Sequence, residues 1–199
     1  MKIFFVFIVL LASTAGFSQK KFNYSEAEKF QKKINSEYAD AKTSPLEEKD
    51  LKTFKSLGFY PVSNKYFVNA KFVKAVNEKA FEMKTSTSRK PKYIKYGTVF
   101  FSIDGVALQL NVYQDVELSK MDKYKNHLFL PFSDKTCGKE SYIGGRYIDL
   151  EIPKGNTIAI DFNQAYNPYC AYNHKYSCPI VPLENDLNVE INAGVKTFH

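Results

Sequence analysis

Asp104-Gly105 constrains the fold of this chain more than any other two residues. It separates Val99-Phe100-Phe101-Ser102-Ile103 from a run in which Val106, Leu108, Leu110 and Val112 alternate with Ala107, Gln109, Asn111 and Tyr113. An Asp-Gly pair accepts the positive φ angles of a two-residue hairpin turn. Alternation with period two puts one strand face into a core and the other towards water. The same alternation recurs at Ile148, Leu150 and Ile152, at Ile158, Ile160 and Phe162, and at Leu187, Val189 and Ile191. Short strands with turn signals about every ten residues predict an antiparallel sandwich or open barrel.

Two helices are predicted ahead of these strands, so the fold class is α+β, mainly β. Ser25 and Glu28 have capping-box spacing, and Ala27, Phe30, Ile34, Tyr38 and Ala41 then recur at helical intervals. A second start reads at Ser44-Pro45-Leu46-Glu47, with Leu51, Phe54 and Leu57 inward and Gly58 as the stop. Both helices read as packing elements without chemistry. The polar stretch Lys84–Pro91 reads as a mobile loop inside the domain.

The N-terminus places the protein. Met1-Lys2, an apolar run from Ile3 to Ala12 and the small-residue exit Ser13-Thr14-Ala15-Gly16-Phe17-Ser18 are the parts of a secretory signal peptide. The run is about half the length that spans a bilayer, so no stable membrane insertion is expected. Cleavage after Ser18 leaves residues 19–199, 181 residues, as a single domain that is exported, periplasmic or secreted. Its formal charge is +6, the whole chain's +7 less Lys2. Only Arg89 and Arg146 are arginines. Nucleic-acid readers rely on arginine forks, so no nucleic-acid partner is expected and the lysines read as a solvated surface.

Candidate chemistry lies in the second half of the chain. If 146–152 and 158–162 form a hairpin that matches their apolar residues, Asp149 falls opposite Asp161. Paired carboxylates repel each other and can serve as an acid/base pair. Two solvated aspartates are the plainer outcome, since a one-residue slip separates them. Gly144-Gly145 frees the backbone beside Arg146, whose fork suits a carboxylate or phosphate. Glu140 or Glu184 is its candidate internal partner.

Cys170 and Cys178 have three readings. In an oxidising compartment the default is a short-range disulfide. The Cys-x3-His-x3-Cys spacing through His174 matches no common zinc pattern and would need a fourth ligand such as Cys137 or His127, and no metal and no cofactor is expected. Cys170 as a nucleophile is the third, with His174 or His127 as its base. Tyr166, Tyr169, Tyr172 and Tyr176 surround this loop, stiffened by Pro168, Pro179 and Pro182. Tyrosines of this kind pack a loop onto a sheet or line a pocket.

Asp161-Phe162-Asn163, Ala165-Tyr166-Asn167-Pro168, Cys170-Ala171, Cys178-Pro179, Pro182 and Glu184-Asn185 resemble DUF1684, a family of bacterial and archaeal proteins of unknown function. Ser44-Pro45-Leu46, Gly58-Phe59-Tyr60-Pro61, Phe132-Ser133-Asp134, Gly145-Arg146-Tyr147 and Ala193-Gly194 extend the resemblance over nearly all of the mature chain. The chain departs from the family's richer proline run at Ile180-Val181-Pro182-Leu183 and from its arginine at Asp186, and His174 belongs to none of its motifs. The resemblance implies a shared fold and supplies no reaction. The leading expectation is an envelope module in which Glu140, Arg146, Asn163, Tyr166, Asn167, Glu184 and Asn185 hold a small polar or anionic molecule. The alternatives are a hydrolase-like enzyme using Asp149, Asp161 or Cys170, and a structural envelope protein without a pocket.

Overall fold

The computed structural model describes residues 20–199, so the leader reading for residues 1–18 lies outside the described residues. The chain is mainly β. Its strands are β1 (Phe67–Lys74), β2 (Phe81–Glu82), β3 (Lys92–Ile103), β4 (Val106–Asp115), β5 (His127–Asp134), β6 (Arg146–Glu151), β7 (Thr157–Asp161) and β8 (Asp186–Leu187). They form a curled, largely antiparallel half-barrel in the order β6-β5-β4-β3-β1-β7, with β2 added to β3 and β8 parallel to β5.

The expected hairpin forms between β3 and β4. Asp104 and Gly105 take φ of 50° and 77°, and Ile103 pairs with Val106. Burial deepens away from the turn, from exposed Val106 to fully buried Leu110 and Val112. On β5, β6 and β7, the even-numbered residues Leu128, Leu130, Phe132, Ile148, Ile158 and Ile160 turn into the same core.

A bulge between Lys95 and Gly97 shifts β3 by one residue against β4. Val99 therefore faces the inner core, while Tyr93, on the far side of the bulge, joins Tyr113, Phe129 and Tyr147 in a second cluster on the opposite face of the sheet. That face is covered in part by α1 (Tyr24–Ala39) and by the segment after β7.

Four expectations need correction. The helix α1 starts one residue before Ser25, because Asn23 is the cap and its side chain accepts the Ser25 N–H. The second helix, α2 (Glu48–Leu51), is a single turn. Ser44 does cap a backbone N–H, that of Leu46, but past Leu51 a turn at Lys52 and Thr53 and then irregular chain bring Leu57 into contact with Ile34 and Tyr38 of α1. The third correction concerns β6 and β7, which do not pair with each other. β6 pairs with β5 and β7 with β1, so Asp149 stands opposite Phe129 and Asp161 opposite Phe67. The connection through Pro153 and Gly155 carries the chain across the open side of the half-barrel, and a cleft of about 560 Å³ lies between these two edge strands. The apolar pattern of the two strands is correctly read, since Ile148 and Ile160 share the inner core, but a common core does not require adjacent pairing. Finally, the 84–91 stretch is bonded along its length: Thr85 is buried and donates to the Arg89 carbonyl, and Ser86 N–H donates to the Cys178 carbonyl.

Candidate functional site

Period two places His127 and Phe129 of β5 and Tyr147 and Asp149 of β6 on the face opposite the core. The pairing Phe129↔Asp149 sets these side chains next to one another. β6 presents its outer edge to the chain after β7. There Tyr166 makes one antiparallel bridge with Tyr147, with N–H to O distances of 2.8 and 3.0 Å. That bridge fixes Tyr166 against the strand that carries Asp149. The turn that delivers it is capped by Asp161, which accepts from Asn163 N–H at 3.1 Å and from the Gln164 side chain at 3.0 Å.

A cavity of about 580 Å³ lies over this patch. Phe129, Tyr147 and Tyr93 form its sheet side, Ile34 and Tyr38 of α1 a second wall, and the 166–179 segment a third. Neighbouring rings meet at steep angles: 74° for Phe129 and Tyr147, 89° for Tyr147 and Tyr166, and 59° for Tyr169 and Tyr176. One carboxylate is fixed within the wall. Asp149 Oδ1 lies 2.9 Å from His127 Nε2, and Oδ2 accepts from the Tyr166 hydroxyl at 3.0 Å. The Asp149 side chain keeps 54 % of its exposure, so a third partner can reach it. Burial raises the Tyr93, Tyr147 and Tyr166 phenols well above their ordinary range, and the nearby Asp149 carboxylate raises Tyr166 further. They remain neutral donors, and the Tyr147 hydroxyl gives its proton to the Pro179 carbonyl.

Cys178 lines this cavity and Cys170 sits behind it, its N–H donating to Cys178 Sγ at 3.1 Å. All three cysteines are free thiols. A hydrogen bond from Cys178 lowers the Cys170 thiol to about 6, helped against burial by Tyr142 and Ser86. The same contact, followed by burial, raises Cys178. Among the described residues no three His, Cys, Asp or Glu side chains are grouped to hold a metal, so Cys170, His174 and Cys178 do not assemble a ligand set.

Of the residues expected at a site, the structure brings Tyr166, Asp149 and the Cys170–Cys178 pair together, with Tyr169 and Tyr176 from the tyrosine group. Tyr172 instead packs at a right angle against Tyr38, 4.9 Å between centroids. Asp161 lines the edge-strand cleft.

Arg146 is fully buried, and its partner is neither Glu140 nor Glu184. It donates to Asp134 at 2.5 Å and to the Ile191 and Ala193 carbonyls. Both terminal nitrogens of this buried arginine have internal acceptors, so it presents no fork to the cavity. The glycine before it serves the same packing: at φ 83°, a Cβ on Gly145 would lie 2.6 Å from the Phe132 carbonyl oxygen of the neighbouring strand.

The three asparagines are buried and hold backbone rather than facing the cavity. Asn163 exchanges hydrogen bonds with Ser63 N–H and carbonyl, Asn167 donates to Lys196, and Asn185 joins Asn111 to Pro131. Glu184 is exposed and accepts from Tyr113, and Glu140 is exposed beside a separate hollow near Tyr60.

Sequence reasoning missed Phe129 and Tyr147 as wall residues, His127 as the partner of Asp149, and α1 as part of the site. The signal was present in part: His127, Phe129, Tyr147 and Asp149 are the odd-numbered positions of two alternating strands, opposite the core-facing even ones.

The family model described as "Protein of unknown function (DUF1684)" matches residues 52–196, which include every wall of the cavity except α1. No curated protein matches. Among solved structures, the solution NMR structure of an uncharacterized protein of Haloarcula marismortui is similar, at 30 % identity and a TM-score of 0.68 over 87 % of this chain and 93 % of that one.

Proposed function

Since the chain belongs to the DUF1684 family, whose description assigns no activity, we propose its function from the cavity: it is a binding module for a small polar molecule that carries a ring or a compact apolar group. The observation that carries this reading is the hydrogen-bonded carboxylate of Asp149 set in the aromatic wall of a cavity of about 580 Å³. Ligand sites are commonly clefts of a few hundred to about 1,000 Å³ with apolar walls and a few fixed polar groups. Here His127 and Tyr166 hold both oxygens of that group, so little ordering remains to be done on binding. The leader-like residues 1–18 support export, which would place the cavity in the periplasm or outside the cell. In an oxidising compartment Cys170 and Cys178 would close the loop that forms one wall.

A second reading is favoured by the 2.9 Å contact of His127 with Asp149. An imidazole oriented by a carboxylate is the general-base half of a hydrolytic site. It replaces the Asp149–Asp161 arrangement, which would require β6 and β7 to pair. No hydroxyl or thiol nucleophile is hydrogen-bonded to His127 among the described residues, so the binding reading is preferred.

The test is a backbone-amide NMR titration with a fragment set of ring-bearing and branched neutral, anionic and cationic molecules. Shifts clustered at His127, Phe129, Tyr147, Asp149 and Tyr166 are expected for at least one class. No perturbation from any class, or shifts confined to another surface, sinks the proposal.

A further inference from the structure

The charge of the cavity runs against that of the protein. The whole chain carries +7, yet the ionisable carboxylates lining this space are Glu37 and Asp149, and its positive groups are Lys33 and His127. Lys33 lies 3.8 Å from Glu37 on the exposed side of α1, so these two offset each other. Asp149 remains, with its second oxygen bound to a neutral phenol. Its carboxylate, still 54 % exposed, is the one acidic group on the sheet side of the cavity, set among tyrosines and a phenylalanine with the His127 imidazole beside it. An aromatic ring presents a negative face, and rings that line a cavity beside a carboxylate attract a poorly hydrated cation. An anion would meet the ring faces and Asp149; Arg146 is spent on Asp134 and two carbonyls, and Arg89 is held at the rim by Ser177 Oγ and carbonyl.

We infer that the ligand is an organic cation, a methylated or quaternary ammonium group seated in the cavity over Phe129, Tyr147 and Tyr166 with Asp149 as its counter-charge. The inference rests on the binding reading above and adds the class of ligand. A quaternary ammonium has no N–H to donate, so the hydrogen bonds that already fill both Asp149 oxygens need not break. The carboxylate acts through its charge, while the rings supply contact. A primary ammonium such as a lysine head is less well suited, being strongly hydrated and in need of acceptors.

Three molecules of one shape separate the inference from the reading beneath it. They are choline, its uncharged isostere 3,3-dimethylbutan-1-ol, and the anion 3,3-dimethylbutanoate, each titrated into the purified protein and followed by amide shifts. Choline is expected to bind about tenfold more tightly than the alcohol, with the anion weakest. Asp149→Asn should remove most of that preference, weakening choline far more than the alcohol. Lys33→Gln, an exposed change that does not touch the fold, should tighten choline alone. Phosphatidylcholine vesicles that compete with choline assign the group to a lipid head, and vesicles that do not compete assign it to a free molecule. Equal affinity for choline and the alcohol, or a preference for the anion, overturns the cation inference while the cavity remains a binding site. Silence from all three, with other fragments still shifting the same amides, also overturns the cation alone. Silence from the entire set overturns the cavity reading with it.

Discussion

Two residue-level arrangements make opposite demands on water. Arg146 and Asp134 are both fully buried, and each supports the other's charge. Removing one partner strands a charge in the core, which typically costs about 3–5 kcal/mol. Arg146→Ala is therefore expected to lose that much in denaturant unfolding, and pairing Asp134→Asn with Arg146→Met to recover part of it. A loss under about 1 kcal/mol for the single change would mean that the pair is far more hydrated than its burial implies.

Cys170 behaves differently, because it is half-exposed and its thiol sits low, at about 6, through the hydrogen bond from Cys178. A lowered thiol is ionised above its pKa and loses its thiolate as pH falls through it. In the reduced protein, alkylation at Cys170 should rise through about pH 6 and level off by neutrality, while Cys178 stays slow. Rates for Cys170 that climb only above pH 8 would contradict the arrangement. In protein recovered from an oxidising compartment, labelling at both positions should vanish if the pair closes as proposed.

At the scale of elements, the sheet is weakest between β4 and β5, which share a single ladder pair, Tyr113↔Phe129. Asn185 bridges the gap with its side chain: its oxygen accepts from Asn111 N–H at 2.9 Å, and its amide donates to the Asn111 and Pro131 carbonyls. Asn185→Ala leaves buried backbone groups without partners, each costing about 1–3 kcal/mol. The expected result is a destabilisation of about 3 kcal/mol, with hydrogen exchange speeding first at β4 and β5. A neutral substitution would show that the two strands hold together without the bridge.

Much of this level is legible in the residues. The β3–β4 hairpin is written in Asp104-Gly105 and its flanks, and the core faces of β6 and β7 in their even-numbered residues. Strand partners are not written locally. Ile148 and Ile160 reach the same core from opposite edges of a curled sheet, and a pattern of period two cannot tell that arrangement from a hairpin. Asn163, Asn167 and Asn185 mislead for a related reason. A motif asparagine that clamps backbone looks, in sequence, like one that holds a ligand. The site is half legible: Asp149 and Tyr166 stand out, while His127 and Phe129 join them only once β5 is known to lie beside β6.

For the whole molecule, the half-barrel buries one face on itself and leaves the other to be covered. α1 and the chain after β7 cover that face incompletely, and the remaining space is the aromatic cavity. On the proposed reading, the core serves stability and the opposite face recognition. A cation is proposed to enter this space beside Asp149. Crystals soaked with tetramethylarsonium, a quaternary cation with a strong anomalous scatterer, test it most directly. The account predicts an anomalous peak in the cavity over the Phe129, Tyr147 and Tyr166 rings and within reach of Asp149, absent in Asp149→Asn. Arsenic ordered only elsewhere, with this cavity empty, would contradict it.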